Sequence, residues 1–366
     1  MSIVKDVMTQ STSISTDPTR LQHVVAAAEA AVQTGGYPSA VIAVANAETT
    51  ILTHTVSSPN YAPAALDSIF LLASITKPII ATAIMQLVEQ GRLLLSDPIV
   101  RYIPEFELFE KVRVTVWHVL THTSGLDESG WWREMIFEKR ASADQLVEMA
   151  CRCALRFDPG TRFEYNTLAF VILGELIARI SGLPYPEYLQ QHIFEPLGMR
   201  DTAFTPSAAQ QQRTMPVYAP PTEPDAERRI QYFTTLAAPG GGLWSTAADL
   251  IAFGQALLRG GRFGDYHLLS PAAIDIMTRL HTAGLLEIVE HTSVPASYGL
   301  GWGKPDPNGA ELSSTRAYGH GGVTGTRLHI DPEWNLVFVF LTNRWGIEGE
   351  ASIRALNAVY GTLRRD

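Results

Sequence analysis

The sequence predicts an α+β fold in two parts. Strand-like segments lie near both ends of the chain, helical periodicity dominates between them, and 366 residues suggest about two domains. Strands from distant segments most simply form one sheet. Residues 1–72 and 285–366 are therefore assigned to a discontinuous sheet domain. Residues 73–284 form a mainly helical domain, with a cleft between the two.

The first helix is expected over residues 18–34, which are Ala-rich, with apolar residues three and four apart and Gly35-Gly36 after them. Strands follow at Ser39–Ala45 and Thr49–Thr55. Ile69–Leu93 holds a helix bounded by Pro78 and Gly91. Thr115–Leu120 is a short helix and Thr121–Asp127 a loop. Helices are also expected over Ala143–Ala154, Leu168–Ile180, Tyr185–Ile193, Thr246–Leu258 and Pro271–Leu280, the fourth with a capping box, Thr246-x-x-Asp249. Thr205–Ala238 is rich in Gln and Pro and reads as a surface excursion. Strands are expected at Ser297–Gly303, Ala317–Gly319, Thr326–Ile330 and Leu336–Thr342, and Ser352–Leu363 is a closing helix.

Composition narrows the function. The hydrophobic fraction is 46% and the net charge −9, without a Lys/Arg block, which argues against nucleic-acid binding. No apolar run reaches membrane-span length, and no secretory signal is read at the N-terminus. Cys151 and Cys153, two apart on an expected helix, cannot pair without distortion. Reduced thiols fit a cytoplasmic location. No P-loop, dinucleotide fingerprint or G-x-S-x-G elbow is present. His118 and His122 lie four apart but lack the Glu of a zinc-protease helix. No metal or cofactor is expected, and the oligomeric state is not legible.

The chemistry is placed on Ser74-Ile75-Thr76-Lys77. Helical spacing of three puts Ser74 and Lys77 on one face at a helix start. A serine hydroxyl needs a base, and a lysine serves only if burial or charge lowers its pKa. An isolated Ser-x-x-Lys is more often a capped helix start than a catalytic pair. Here, however, the chain has only five lysines, and this one lies among Ile79, Ile80, Ile84 and Leu87. Tyr165 is a second proton carrier if cations lower its pKa; alone it reads as a half-buried core residue. The Gly-dense run Gly319-His320-Gly321-Gly322-Val323 lets another backbone approach, or is simply a bend. Trp131 and Trp132 are pocket wall or core cover in equal measure.

Taken in order, FLLASITKPIIATAIMQLVEQGRL, VTVWHVLTHTSGL, PGTRFEYN, GGGLWSTAADLIAFGQALL and GHGGVTGT resemble the serine β-lactamase and penicillin-binding-protein superfamily. They look most like its class C-like branch, with family VIII carboxylesterases and D-aminopeptidases. The likeness runs from about Gly36 to the C-terminus. It implies a β-lactamase/transpeptidase-like fold, an antiparallel sheet flanked by helices plus an all-helical domain. It also implies Ser74 as acylated nucleophile, Lys77 as base or proton relay, and Tyr165 as the second-motif tyrosine. His320-Gly321-Gly322 then holds the third-motif position, and the N–H groups of Ser74 and Val323 form the oxyanion hole.

Two departures from the pattern matter. The second motif is usually Tyr-x-Asn and here reads Tyr165-Asn166-Thr167, so either Thr167 or Asn166 takes the asparagine's place. The third is commonly Lys-Thr-Gly and here is His-Gly-Gly, without the lysine charge, for which Arg327 is a possible substitute. Both favour a small uncharged ester as substrate over a β-lactam or D,D-peptide. A β-lactamase or D-amino-acid amidase remains the alternative within the fold, and a non-catalytic acyl-ligand-binding protein the alternative of another class.

Overall fold

The computed structural model describes residues 14–34, 36–129, 142–220, 222–223, 225–289, 291–305, 309–347 and 349–365. Trp131 and Trp132 lie outside them. The sheet has strands β1 (Ser39–Ala45), β2 (Thr50–Ser57), β3 (Tyr318–Gly321), β4 (Arg327–Asp331) and β5 (Leu336–Thr342). Their spatial order is β3-β4-β5-β1-β2, and every pairing is antiparallel. The two ends of the chain thus meet where β5 pairs with β1.

β1 and β5 are buried at every position, so they read as continuous apolar runs rather than alternating ones. Alternation still sorts their side chains. Ala40, Ile42, Val44, Phe338 and Phe340 pack with helices α1 (Leu21–Thr34) and α7 (Glu350–Tyr360). Val41, Ala43, Val337, Val339 and Leu341 join the larger core on the other face. That core contains α2 (Thr76–Glu89), α5 (Ala169–Ser181) and α6 (Ala247–Leu258). Although α6 falls in the helical middle of the sequence, it packs against β1 and β5.

α2 is buried continuously from Thr76 to Leu87, as a helix that is apolar all round must be. Each fully buried Ile or Leu in it contributes about 1.5–3 kcal/mol relative to an exposed one. Gly91, at φ 68°, reverses the chain after it.

Several expectations are corrected. Ser297–Gly303 is not a strand: it folds back on itself through a bridge from Tyr298 to Gly303, and Gly303 makes one further bridge to Gly319 of β3. The Thr205–Ala238 excursion includes helices Ala208–Gln211 and Ala226–Thr235, the latter burying Ala226 and Tyr232. The Thr246 capping box is half formed. Thr246 accepts from Asp249 N (3.2 Å), but the Asp249 carboxylate instead accepts from Asp201 N and the Thr202 hydroxyl, both at 2.8 Å. A short hairpin, Leu286–Val289 with Thr292–Pro295, was not foreseen. Cys151 and Cys153 are free and buried.

The α6–sheet contact is tight at Gly254, where an added Cβ would lie 2.6 Å from Val337 Cγ1. Val337 is β-branched and fully buried, so it has little room to turn. Gly254→Ala gains about 1 kcal/mol of helix propensity against about 1–3 kcal/mol of overpacking. Thermal denaturation is expected to give a lower Tm; a higher Tm would show that this contact yields.

Candidate active site

Ser74 sits in a short 3₁₀ turn, Ala73–Ile75, that feeds directly into α2. Ala73 takes φ 48°, a left-handed conformation that costs a non-glycine residue about 1–2 kcal/mol. The surroundings over-determine this bend. Phe70–Leu71 pairs with Trp244–Ser245, Leu72 N donates to Leu243 O (2.8 Å), and the Thr76 hydroxyl donates to Ala73 O (2.7 Å).

One turn on, the Lys77 amine is wholly buried and bonds to Ser74 Oγ (3.1 Å), Gly240 O (2.6 Å) and Thr167 Oγ1 (3.4 Å). Burial pushes its pKa down to about 7, and the charge of Glu128 opposes that fall. The Gly240 carbonyl can only accept, so Lys77 keeps a hydrogen there. When the ammonium loses its proton, the lone pair is left for the Ser74 hydroxyl. Gly240 allows this approach, since a Cβ there would meet Thr167 Cγ2 at 2.6 Å.

The Tyr165 phenol lies close enough to Ser74 for the serine to act against the rise in its pKa, and its ring lies 4.8 Å from Lys77 Nζ. Burial raises the phenol's pKa. The expected lowering by cations does not occur, so Tyr165 rests protonated and is a proton donor rather than the resting base. Its ring lies against the His122 ring (centroids 4.4 Å apart). His122, fully buried at φ 57°, accepts from Asn166 N through Nδ1 (3.0 Å). His118 is likewise engaged, its Nδ1 3.0 Å from Thr115 N in a capping box. Among the described residues no His/Cys/Asp/Glu group is disposed to hold a metal ion.

The two candidates for the second-motif asparagine part company. Asn166 turns inward: Nδ2 donates to Leu126 O (2.6 Å) and Oδ1 accepts from Ala169 N (2.8 Å), tying down the start of α5. It is therefore not presented as a substrate contact. Thr167 carries its hydroxyl to Lys77 instead. Glu128, which the sequence reading passed over, fixes this segment by accepting from Thr167 N (2.8 Å) and Leu168 N (3.0 Å). Glu128 stands 39 residues before Thr167, so no local pattern in the sequence marks it.

His320 lies on β3 beside the site. Its Nδ1 is 2.7 Å from Gly321 O, which can only accept, so Nε2 accepts from the Tyr298 hydroxyl at 2.8 Å. Burial and nearby Lys77 push its pKa down to about 3, so the ring is neutral. Arg327 does not restore a charge at this position. The turn through Gly322–Gly325 puts it on β4, opposite Gly321, while His320 pairs with Leu328. Cross-strand partners share a face and neighbours alternate. Arg327 therefore leaves its strand on the face opposite His320, but at the sheet edge both line one cleft, where Arg327 is paired with Glu311.

The Gly322–Thr326 turn is fastened to the backbone before Ser74. The Thr324 and Thr326 hydroxyls donate to Leu71 O (3.1 Å) and Leu72 O (3.0 Å). A Cβ at Gly322 would sit 2.5 Å from Leu72 O, so only glycine permits this approach. The half-exposed Val323 is thereby held beside the Ser74 turn.

The profile of the family described as Beta-lactamase matches residues 24–361. The chain belongs to the beta-lactamase family. It is 30% identical over 288 residues to an Escherichia coli K12 protein named D-alanyl-D-alanine-carboxypeptidase/endopeptidase AmpH, covering 76% of this chain and 71% of that one. Protein Rv1367c of Mycobacterium tuberculosis is 28% identical over 320 residues, covering 76% and 78%. The fold is also that of a penicillin-binding-protein homologue from Caulobacter crescentus (TM-score 0.80, 23% identity, 96% and 100% covered). A family VIII carboxylesterase gives TM-score 0.78 at 19% identity, with 95% and 99% covered. Serine β-lactamases and penicillin-binding proteins form the superfamily of this chain, and its fold is β-lactamase/transpeptidase-like. Among the described residues no helix is long and apolar enough to cross a membrane.

Two outcomes are expected for this beta-lactamase-family site. Asn166→Ala orphans Leu126 O and Ala169 N and should lower stability by about 2–4 kcal/mol in denaturant melts. Thr167→Ala should melt near wild type but lose activity; the reverse pattern would exchange the two roles. Lysine is charged below its pKa and a base only above it. The rate of Ser74 acylation should therefore climb as pH rises through about 7; a rate flat from pH 5 to 9 would argue against Lys77 as base.

Proposed function

We propose that this protein is a serine hydrolase acting on small, uncharged carboxylic esters through an acyl-enzyme on Ser74. The observation that carries the reading is the neutral His320 at the third-motif position, with both nitrogens already bonded and Arg327, which lines the same cleft, already paired with Glu311. A neutral ring beside a cation already paired with a carboxylate has little to offer a substrate carboxylate. The family VIII carboxylesterase among the solved structures of this fold is consistent with that preference.

In the proposed reaction, neutral Lys77 takes the Ser74 proton as Oγ attacks the ester carbonyl. The N–H groups of Ser74 and Val323 receive the oxyanion. As the intermediate collapses, the C–O bond to the alcohol breaks and Tyr165 passes its proton to the departing alkoxide. The Lys77 ammonium returns a proton to the phenolate. Water then attacks the acyl group, giving up its proton through the same pair, and Ser74 is released. An alkoxide leaves more readily than an amide nitrogen, so Thr167 in place of an asparagine is better tolerated with esters.

A second reading, cleavage of D-alanyl peptides, is favoured by kinship with the carboxypeptidase/endopeptidase-named relative. One assay separates the two. Hydrolysis of p-nitrophenyl acetate, butyrate and octanoate is compared with that of nitrocefin and a D-Ala-D-Ala-terminated peptide, for wild type and Ser74→Ala. Ester turnover that leads the panel and disappears in the variant is expected. Preferred release of D-alanine would establish the second reading, and ester turnover surviving in Ser74→Ala would remove Ser74 as nucleophile. Acylation without turnover would make the protein an acyl-binding one.

A further inference from the structure

We propose that Glu128 is a positioning residue of this site: it holds the Thr167 hydroxyl against Lys77, and its negative charge tunes Lys77 as a base. The inference rests on the Ser74–Lys77 reading above and adds to it a residue that lies outside the recognisable motifs.

The geometry is that of a double backbone clamp. Glu128 Oε2 accepts from two successive N–H groups, Thr167 N at 2.8 Å and Leu168 N at 3.0 Å. These precede Ala169, the first residue of α5, so the carboxylate also meets the positive end of that helix. Thr167 is half-buried, with its hydroxyl 3.4 Å from Lys77 Nζ and its methyl against Gly240. Letting the Thr167 backbone go would therefore move a group that fixes where the Lys77 amine points. Tyr165 is two residues upstream, so the same clamp steadies the tyrosine.

The charge adds a second effect. The groups facing Lys77 come from every element around it: Ser74 on its own turn, His122 and Glu128 from the loop after α3 (Val116–Leu120), Tyr165 and Thr167 before α5, the Gly240 carbonyl, and His320 on β3. Burial keeps both imidazoles neutral and the phenol protonated. Glu287, on the Leu286–Val289 strand, acts on Tyr165 and Tyr298. Glu128 is the carboxylate that favours the Lys77 ammonium, against the desolvation that disfavours it. It therefore sets how far burial can carry the amine toward its neutral form.

The test is the pH dependence of Ser74 labelling by a fluorophosphonate, followed by intact mass, for the full chain and Glu128→Gln, Glu128→Ala and Glu287→Gln. This readout needs an activated serine but no particular substrate. Gln keeps an acceptor for the two N–H groups and loses only the charge. Its high-pH rate should stay within about threefold of wild type, while the acidic limb moves down by roughly 0.5–1 pH unit. Glu128→Ala should lose about tenfold or more at the plateau, through misplacement of Thr167. Glu287→Gln should leave the limb in place.

A cap with no role in the chemistry would lower Tm in the Glu128 variants and leave the limb at its wild-type position. That result, or an upward shift, overturns the proposal. A Glu128→Ala plateau equal to wild type removes the positioning claim. Should the alanine variant fail to fold, the glutamine variant still decides on the charge. Absence of wild-type labelling at Ser74 is a different failure, that of the underlying nucleophile reading.

Discussion

Everything in this site turns on a lysine amine taken out of water. Lys77 is carried into the protein by α2, a helix buried on all sides, and desolvation alone brings its pKa within reach of neutrality. An uncompensated ammonium at that depth would be costly, so each of its bonds has a defined source. The Gly240 carbonyl, the Thr167 hydroxyl and Ser74 come from three segments far apart in sequence. The glycine at 240, the inward Asn166 and the Glu128 clamp all follow from the need to bring those segments to one nitrogen.

The sheet supplies the second wall through register. β3 is an edge strand, and the turn after it is stitched to Leu71 and Leu72, so the backbone beside Ser74 is braced from the sheet side. The same pairing decides polarity. His320 lies beside Tyr165 as a neutral ring, while the nearby cation, Arg327, starts from the other face of the strand pair and is held by Glu311. A slip of one residue in this hairpin would exchange those faces. The strain at Ala73 belongs to the same economy of structure: a bent backbone exposes the nucleophile, and the neighbouring pairs hold the bend.

Much of this was legible in the sequence. Ser74 and Lys77 stand three apart at the head of an apolar run, which fixes their common face without tertiary information. β1, β5 and α2 were recognisable because their apolar patterns are long. Gly91 marked the end of α2, whereas the Gly-dense run read equally as a bend, and the close approach at Gly322 belongs to the tertiary structure. The readings that failed were those where a short segment answers to its neighbours. Ser297–Gly303 has strand-like composition, but it turns back on itself and pairs with the sheet only at Gly303. Asp249 has the right spacing for a capping box, yet its carboxylate is claimed by Asp201 and Thr202. Thr205–Ala238 is polar enough to look like loop, though Tyr232 finds a core to enter.

By itself, then, the sequence determined the local placement: a serine and a lysine on one helix face, a tyrosine after a Pro-Gly turn, and a Gly-dense run with a histidine where a lysine is common. Tertiary structure decided what those residues face. It turned Asn166 inward and Thr167 toward the amine, brought Glu128 under the same segment, kept the Tyr165 phenol protonated and paired Arg327 with Glu311. The physical reason is range. Helical spacing and strand alternation act within a few residues, whereas desolvation and hydrogen-bond competition here are set by segments from 39 to 163 residues apart.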